Sequence, residues 1–334
     1  MPKFETIRNL IAGRKSQYLM YKKEYHYKLK TLIEKMRKDK EKMSSFKEVY
    51  CPVCGKKDVS EVLVNPEGFS FSVCKNNQTI YMNPAPSEEV INKLCNSKEY
   101  SFNWNLEKIS KKKEYESFKR IIGENIGGRL LDIGCASGEF VELSKESFDS
   151  EGVEINKRTA ETGKKKGLKI NIGTVYSING KQKYDVITMF QVIEHLTNPK
   201  ITIKKVNDLL KSGGYLYIET PNMGGASFKF LRERHTHISN FGHVCLFNKN
   251  SLVKLIESSG FKLKKHEFYG GLDFSTHDII SIILGKKFKH RMALYNSRLY
   301  YLGNSIDKMT CNLFPRLILG RKEQSYQRAL FKKL

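Results

Sequence analysis

The residues best placed to do chemistry begin with an acid at the mouth of a glycine-rich turn, Leu130-Leu131-Asp132-Ile133-Gly134-Cys135-Ala136-Ser137-Gly138-Glu139-Phe140. An apolar strand runs into a turn that opens a helix. Its glycines let the backbone approach a ligand closely and supply positive φ where needed. A dinucleotide fold uses such a turn to hold a pyrophosphate at the helix N-terminus. Asp132 would repel a pyrophosphate but suits the ammonium of a bound amino acid, which favours S-adenosylmethionine (SAM) over NAD. Glu154 ends a second apolar run. Its two carboxylate oxygens could hold two ribose hydroxyls, as acids at this position do in nucleoside-binding α/β folds. Ile155, the next residue, could pack against an adenine.

A second pair, Glu194-His195, follows a later apolar run. Methyl transfer from a sulfonium is an in-line displacement in which the cofactor brings the reactive group, so the protein mainly aligns the acceptor. An oxygen nucleophile also gains from a general base. His195 could take a hydroxyl proton near neutral pH, with Glu194 orienting it or holding an acceptor hydroxyl. The bland alternative is that Glu194 caps a loop and His195 merely packs. Arg232, Arg234, His235, His237 and His243 crowd the loop between Pro221 and a helix at 250, and would suit a phosphate or carboxylate. His243 is the third candidate catalytic residue. No metal spacing is evident there, because His235-Thr236-His237, if extended, points its imidazoles to opposite sides. Cys51-Pro52-Val53-Cys54-Gly55 is half a zinc knuckle, and Cys74 follows about twenty residues later.

These side chains need a frame. Strands are expected at 129–133, 152–155, 168–172, 185–190, 215–219 and 261–268. Helices are expected at 87–97, 106–123, from Gly138, up to Lys166, at 199–211 and at 250–259. Strands alternating with helices of this length imply an α/β, Rossmann-like parallel sheet covered on both faces. Ligands of such sheets lie beyond the C-terminal ends of the strands, where Asp132, Glu154 and Glu194 fall. Residues 4–44 read as a helix, with Tyr25, Leu29, Leu32, Ile33 and Met36 at spacings of three and four. It could pack on the body, pair with a second copy as a homodimer, or lie on a membrane. The expected organisation is a basic helical segment at 1–48, a cysteine module at 49–86, the α/β domain at 87–284 and a basic tail at 285–334. In that tail, 314–319 is a candidate last strand.

Taken in order, LDIGCASGEF, GVEIN, YDVITMFQVIEHLTNP, LLKSGGYLYIETPN and HVCLFNKNSLVKLIESSGF resemble the class I SAM-dependent methyltransferases over about residues 87–270. The resemblance implies that Asp132, Gly134, Cys135, Ala136 and Gly138 surround the methionine moiety and that Glu154 takes the ribose. It implies further that Gly173-Thr174 edges the adenine and that Phe190 and Gln191 flank the cofactor. Two positions depart from the pattern. Ala136 stands where the family usually has Gly, and Thr174 stands near where it often has an acid for the adenine amine. The Glu-His pair recurs in relatives acting on phenols, sugars and quinone precursors. The segment CPVCG to VCKNNQTIYMNPAPSEE resembles the zinc ribbon that precedes many sugar and small-molecule methyltransferases. Its metal ligands would be Cys51, Cys54 and Cys74, with Asn77, a poor zinc ligand, where a fourth cysteine belongs. Cys95 could replace it only if the following helix folds back. The alternative is a remnant β-hairpin shaped by Phe69, Phe71, Ile80 and Tyr81.

Charge narrows the partners. The formal net charge is +24. Residues 1–48 hold 14 Lys/Arg against 6 Asp/Glu and residues 285–334 hold 12 against 2, leaving +6 for the long middle. The positive field thus belongs to the ends, which suits peripheral contact with an anionic membrane or solvated helix faces. Seven scattered cysteines and the absence of an apolar leader or of a run of about 18 apolar residues place the chain in a reducing cytoplasm, at most at the inner face of the membrane. The expected function is methyl transfer from SAM to oxygen or nitrogen of a small-molecule or saccharide acceptor, a lipid-linked glycan precursor being one such acceptor. RNA methylation is the alternative. It is disfavoured because the charge avoids the catalytic domain and no Asn/Asp-Pro-Pro-aromatic motif follows the fourth strand. A non-catalytic scaffold is the third reading.

Overall fold

The computed structural model describes residues 46–97, 108–123, 125–180, 183–238, 242–270 and 324–334. The expected helix at 4–44 and the candidate strand at 314–319 lie outside them. So do residues 285–323 of the expected tail, which hold nine of its twelve Lys/Arg.

Seven strands form the main sheet. Alternation of buried strands and amphipathic helices builds most of it as expected: β4 (Arg129–Ile133), α3 (Glu139–Ser144), β5 (Asp149–Glu154), α4 (Lys157–Lys165), β6 (Ile170–Ile172), β7 (Tyr184–Phe190), α5 (Pro199–Leu209) and β8 (Leu210–Pro221). These five strands are parallel, in the order β6-β5-β4-β7-β8. The helix caps follow local chemistry. The Asn156 side chain accepts from Thr159 N at the start of α4, and Pro199 opens α5, where its missing N–H costs nothing. α7 (Lys249–Glu257) opens on a reciprocal Asn248–Ser251 capping box.

The far edge departs from an all-parallel sheet. β10 (Phe261–Tyr269) does not pair with β8. The last strand, β11 (Tyr326–Lys333), inserts between them and runs antiparallel to both. It is buried at Ala329, Leu330 and Phe331. The boundary expected at 284 therefore fails to enclose the sheet: residues 324–334 are part of the main core and not of a basic tail. Packing explains this, since β8 without β11 would present an unpaired edge beside buried Leu216 and Ile218.

The cysteine module holds β1 (Val59–Val64), β2 (Ser70–Cys74) and β3 (Ile80–Met82), followed by α1 (Glu88–Asn96). A strand from the other end of the domain, β9 (Cys245–Leu246), completes its antiparallel sheet by pairing with β3. One core joins them: Phe71, Ile80 and Met82 pack with Val90 and Leu94 of α1 and with Phe228, Val244 and Leu246. α2 (Lys108–Ile122) covers the opposite face, where Phe118 meets Phe140, Phe148 and Tyr217 edge-on or tilted at 5.3–6.0 Å. α6 (Ala226–Leu231) lies in the loop after β8.

Candidate functional site

The glycine-rich turn after β4 takes three positive-φ residues: Gly134 at 73°, Ala136 at 50° and Gly138 at 81°. Ala136 thus holds the conformation its family position requires, at a steric cost that Gly would not have. Gly138 is doubly constrained, because a Cβ there would collide with the side chains of Leu168 and Ile170. The turn is tied to β5 twice. Gly134 N donates to Val153 O at 2.8 Å, and Ala136 N donates to Glu154 Oε2 at 2.9 Å. Glu154 Oε1 accepts from Asn156 N at 2.7 Å. Each carboxylate oxygen has spent one lone pair on the backbone and keeps another for a hydroxyl. Gly173 N donates to the Glu154 main-chain carbonyl at 2.9 Å, which sets Gly173-Thr174 beside the C-terminal end of β5. Ile155 and Thr174 are half-buried at the same rim.

Asp132 is buried and accepts from the Thr188 hydroxyl at 2.7 Å. Burial pushes its carboxyl up to about 7, against the Thr188 bond and the charge of Lys111. Among the described residues no cation is ion-paired with this carboxylate, and the ammonium of SAM would supply one. The donor set fits the cofactor. Lys111 escapes a reading by motif. It lies on α2, 5.3 Å above the Phe190 ring and 2.7 Å from Glu114, and its charge reaches Asp132. No sequence signal marks it among the lysines of Lys111-Lys112-Lys113.

Two predicted cofactor residues have side chains that face elsewhere. The Cys135 thiol packs into a core of Val141, Ala160, Leu168 and Ile170, so only its backbone can meet a ligand. The Phe190 ring stacks into the α2-side core, 4.5 Å from Phe140 and 5.5 Å from Tyr217. Gln191 turns the chain at φ 55°, with its N–H on Glu219 O at 2.9 Å. Glu219, Tyr217, Tyr269 and Arg328 form a buried network missed by the motifs. Both tyrosine hydroxyls donate to Glu219, and Arg328 lies 3.7 Å from it and stacks on Tyr269 at 3.6 Å. Only the β8–β11 register, which sets Arg328 opposite Glu219, brings them together.

Glu194 and His195 fall in a single 3₁₀ turn after β7. Glu194 is fully buried. Its Oε2 accepts from the Thr220 hydroxyl at 2.9 Å, and its Oε1 has no hydrogen-bond partner among the described residues. Burial pushes it up to about 8. The Glu194 carbonyl accepts from Val244 N at 2.9 Å, which draws the segment carrying His243, just ahead of β9, against it. His195 Nδ1 lies 2.7 Å from Gly242 O and His243 Nδ1 lies 2.9 Å from His237 O. A carbonyl only accepts, so both Nδ1 atoms carry the proton. The His195 and His243 rings are 4.8 Å apart, and one ligand atom from each of Glu194, His195 and His243 falls within 4.8 Å of the others. Although His195 is partly exposed, burial of its ring pushes it down to about 4, so it does not titrate near neutrality as expected. It stands as a neutral acceptor.

The loop residues sort differently from their sequence reading. His235 is buried and His237 half-buried, and their rings lie 5.2 Å apart, tilted by 35°. The turn at 235–238 brings to one side what an extended chain would have separated. His237 continues to His243 at 5.3 Å. Arg232 pairs with Glu61 of the cysteine module and lies over Phe228, while Arg234 is exposed, so neither guanidinium joins the histidines. Cys51, Cys54 and Cys74 do converge, with one sulfur from each within 4.8 Å of the others. Cys95 does not join them. It faces the cofactor side, where its carbonyl accepts from Asn156 Nδ2 at 2.6 Å.

Residues 103–266 match the family model described as a methyltransferase domain. The match covers just under half of the chain, and the segment has the Rossmann-like α/β fold of a methyltransferase domain. Among curated proteins the chain is similar to ubiquinone biosynthesis O-methyltransferases of Bordetella avium and Vibrio vulnificus. The first is 24% identical over 124 residues, 34% of this chain and 52% of that protein. The second is 27% identical over 148 residues, 40% of this chain and 63% of that protein. The chain thus spans less than two thirds of the length of these relatives. A SAM dependent methyltransferase from Archaeoglobus fulgidus aligns over 70% of this chain and 100% of its own at 20% identity, with a TM-score of 0.47.

Proposed function

We propose that this protein moves the methyl group of SAM to a hydroxyl oxygen of a small-molecule or saccharide acceptor seated over Glu194, His195 and His243. The observation that carries the reading is the buried Glu194 Oε1, which has no hydrogen-bond partner among the described residues and, with Oε2 accepting from Thr220, carries the proton that burial holds on this carboxyl. Leaving such a group unmatched costs about 1–3 kcal/mol, which the hydroxyl oxygen of an acceptor would relieve by accepting from it. SAM supplies an activated methyl on a sulfonium. The chain does the rest: Asp132 and Lys111 orient the amino-acid end, Glu154 the ribose, and Gly173-Thr174 with Ile155 the adenine edge. The His195 Nε2 lone pair takes the hydroxyl proton as the oxygen attacks in line, and Glu194 fixes the hydroxyl direction. His243 holds the far side of the acceptor. The name of the similar ubiquinone biosynthesis O-methyltransferases agrees with oxygen as the acceptor atom.

Calorimetric titration with SAM and S-adenosylhomocysteine, beside NAD, tests the cofactor half. Micromolar binding of the first two and none of NAD is expected. A screen of phenols and sugars with radiolabelled methyl then tests the acceptor half. Labelling of an amine in preference to every hydroxyl would overturn it. No helix among the described residues is long and apolar enough to cross a membrane. Contact of the basic ends with an anionic membrane is part of the proposal, motivated by their charge. Unchanged sedimentation with anionic liposomes at low salt would remove it.

A further inference from the structure

Two helix ends meet beside Glu154 and cap each other. α1 ends at Asn96, and the last carbonyls of a helix have no partner within it. One of them, Cys95 O, accepts from Asn156 Nδ2 at 2.6 Å. α4 begins at Lys157, and the first N–H groups of a helix lack partners in the same way. Lys157 N donates to Asn96 Oδ1 at 3.2 Å, and Thr159 N donates to Asn156 Oδ1 at 3.0 Å. Each helix thus supplies what the other lacks. The C-terminal end of one helix dipole adjoins the N-terminal end of the other, which is the favourable pairing.

Asn156 is the centre of this joint. It is buried, and its amide is used twice, with Oδ1 on α4 and Nδ2 on α1. A carbonyl only accepts and an N–H only donates, so a single orientation of the amide satisfies both neighbours. Its main-chain N–H goes to a third partner, Glu154 Oε1, at 2.7 Å. One residue therefore touches the carboxylate read as the ribose acid, the helix that follows it and the helix of the cysteine module. The Cys95 side chain lies within reach of the same carboxylate: burial, and after it the charge of Glu154, push its thiol up to about 12. α1 is anchored in the module, where Val90, Ile91 and Leu94 pack with Phe71, Ile80 and Met82. The joint with α4 is polar. A cavity of about 430 Å³ opens beside it, lined by Asn96, Asn156, Lys157 and Arg158 with further polar side chains of α4. Hydrogen bonds hold the two helix ends together here, and a joint of that kind yields or tightens with what binds against it.

We propose that SAM and the cysteine module are coupled through this joint. The last turn of α1, at Cys95-Asn96, walls the ribose corner of the cofactor site, and Asn156 is the positioning residue that holds it against Glu154. A ribose bound to Glu154 fixes the Asn156 main chain, Asn156 fixes the end of α1, and α1 is fixed in turn to the module core. Coupling of this kind is reciprocal: SAM steadies α1, and releasing α1 weakens SAM by the same factor. The inference rests on Glu154 as the ribose acid and is independent of the acceptor.

The test is hydrogen–deuterium exchange of the full-length protein with and without S-adenosylhomocysteine. Exchange is expected to slow in two places, the turn at 132–138 and α1, by about fivefold or more at α1. Asn156→Ser keeps an oxygen to cap Thr159 N but is too short to reach Cys95 O. This variant should bind S-adenosylhomocysteine about fivefold or more weakly, still protect the turn and no longer protect α1. A residue that merely stabilised the fold would weaken binding without separating the two regions. Protection of the turn with α1 unmoved in the wild type overturns the coupling and leaves the cofactor reading intact; it is also the deciding result if Asn156→Ser does not fold. Protection of α1 retained in Asn156→Ser overturns the coupling as well. Protection at neither place overturns the cofactor reading, and the coupling falls with it.

Discussion

Asp132 and Glu154 make different demands on the same cofactor. Asp132 must be ionised to meet an ammonium, yet burial raises it to about 7. SAM affinity should therefore rise with pH through about 7, being about tenfold weaker at pH 6 than at pH 8. Asp132→Asn should bind weakly and without that dependence, which calorimetry at the two pH values reads directly. Glu154→Ala loses a ribose acceptor and frees Ala136 N, so its SAM Kd should rise by about 10- to 100-fold. Ala136→Gly relieves a positive φ and should gain about 1 kcal/mol in urea unfolding. Glu194 gives a test by stability. Its folded pKa is raised from 4.5 to about 8, so the folded state holds a proton that the unfolded chain releases. The stabilisation is full below 4.5 and is lost as pH rises through about 8, at about 1.4 kcal/mol per pH unit. Glu194→Gln removes the titration. Its stability relative to wild type should climb from pH 5 to pH 8 while turnover falls at every pH. A flat stability difference would show that Glu194 ionises normally.

At the scale of elements, β11 carries the most weight for its length. It lies between β8 and β10, and it brings Phe331 into the main core and Arg328 against Glu219. Phe331→Ala should cost about 3–5 kcal/mol, measured by chemical denaturation. The segment 103–266, the part that matches the family model, ends before β11 and begins after the cysteine module. Expressed alone it should be insoluble, and appending residues 324–334 through a long linker should recover part of the soluble yield. Equal solubility with and without that strand would mean that β8 and β10 close on each other.

Across the whole molecule, the cysteine module and the methyltransferase domain are one packing unit. β9 pairs with β3, Val244 joins the module core, and its neighbour His243 stands against Glu194. Heating should therefore give one transition, reported alike by far-ultraviolet circular dichroism and by near-ultraviolet circular dichroism of the buried tyrosines Tyr81 and Tyr217. Two separated transitions would show that the module unfolds on its own.

The strands and helices from β4 to β8, the turn at Asp132–Gly138 and the Glu154 position were all legible along the chain, because each depends on spacing within one element or across one turn. Glycine at 138, an amphipathic period of 3.6 and an apolar run into a carboxylate are local statements. The positive φ of Ala136 agrees with the family resemblance, which usually has Gly at that position. What only the tertiary structure decided depends on contacts far apart in sequence. The register of β11 pairs Arg328 with Glu219, and the turn at 235–238 folds two histidines to one side. Lys111 was one lysine among several until α2 was laid over Phe190. The protonation of Glu194 and His195 likewise followed from burial, which no residue type reveals, because desolvation is a property of everything packed around a group and not of the group itself.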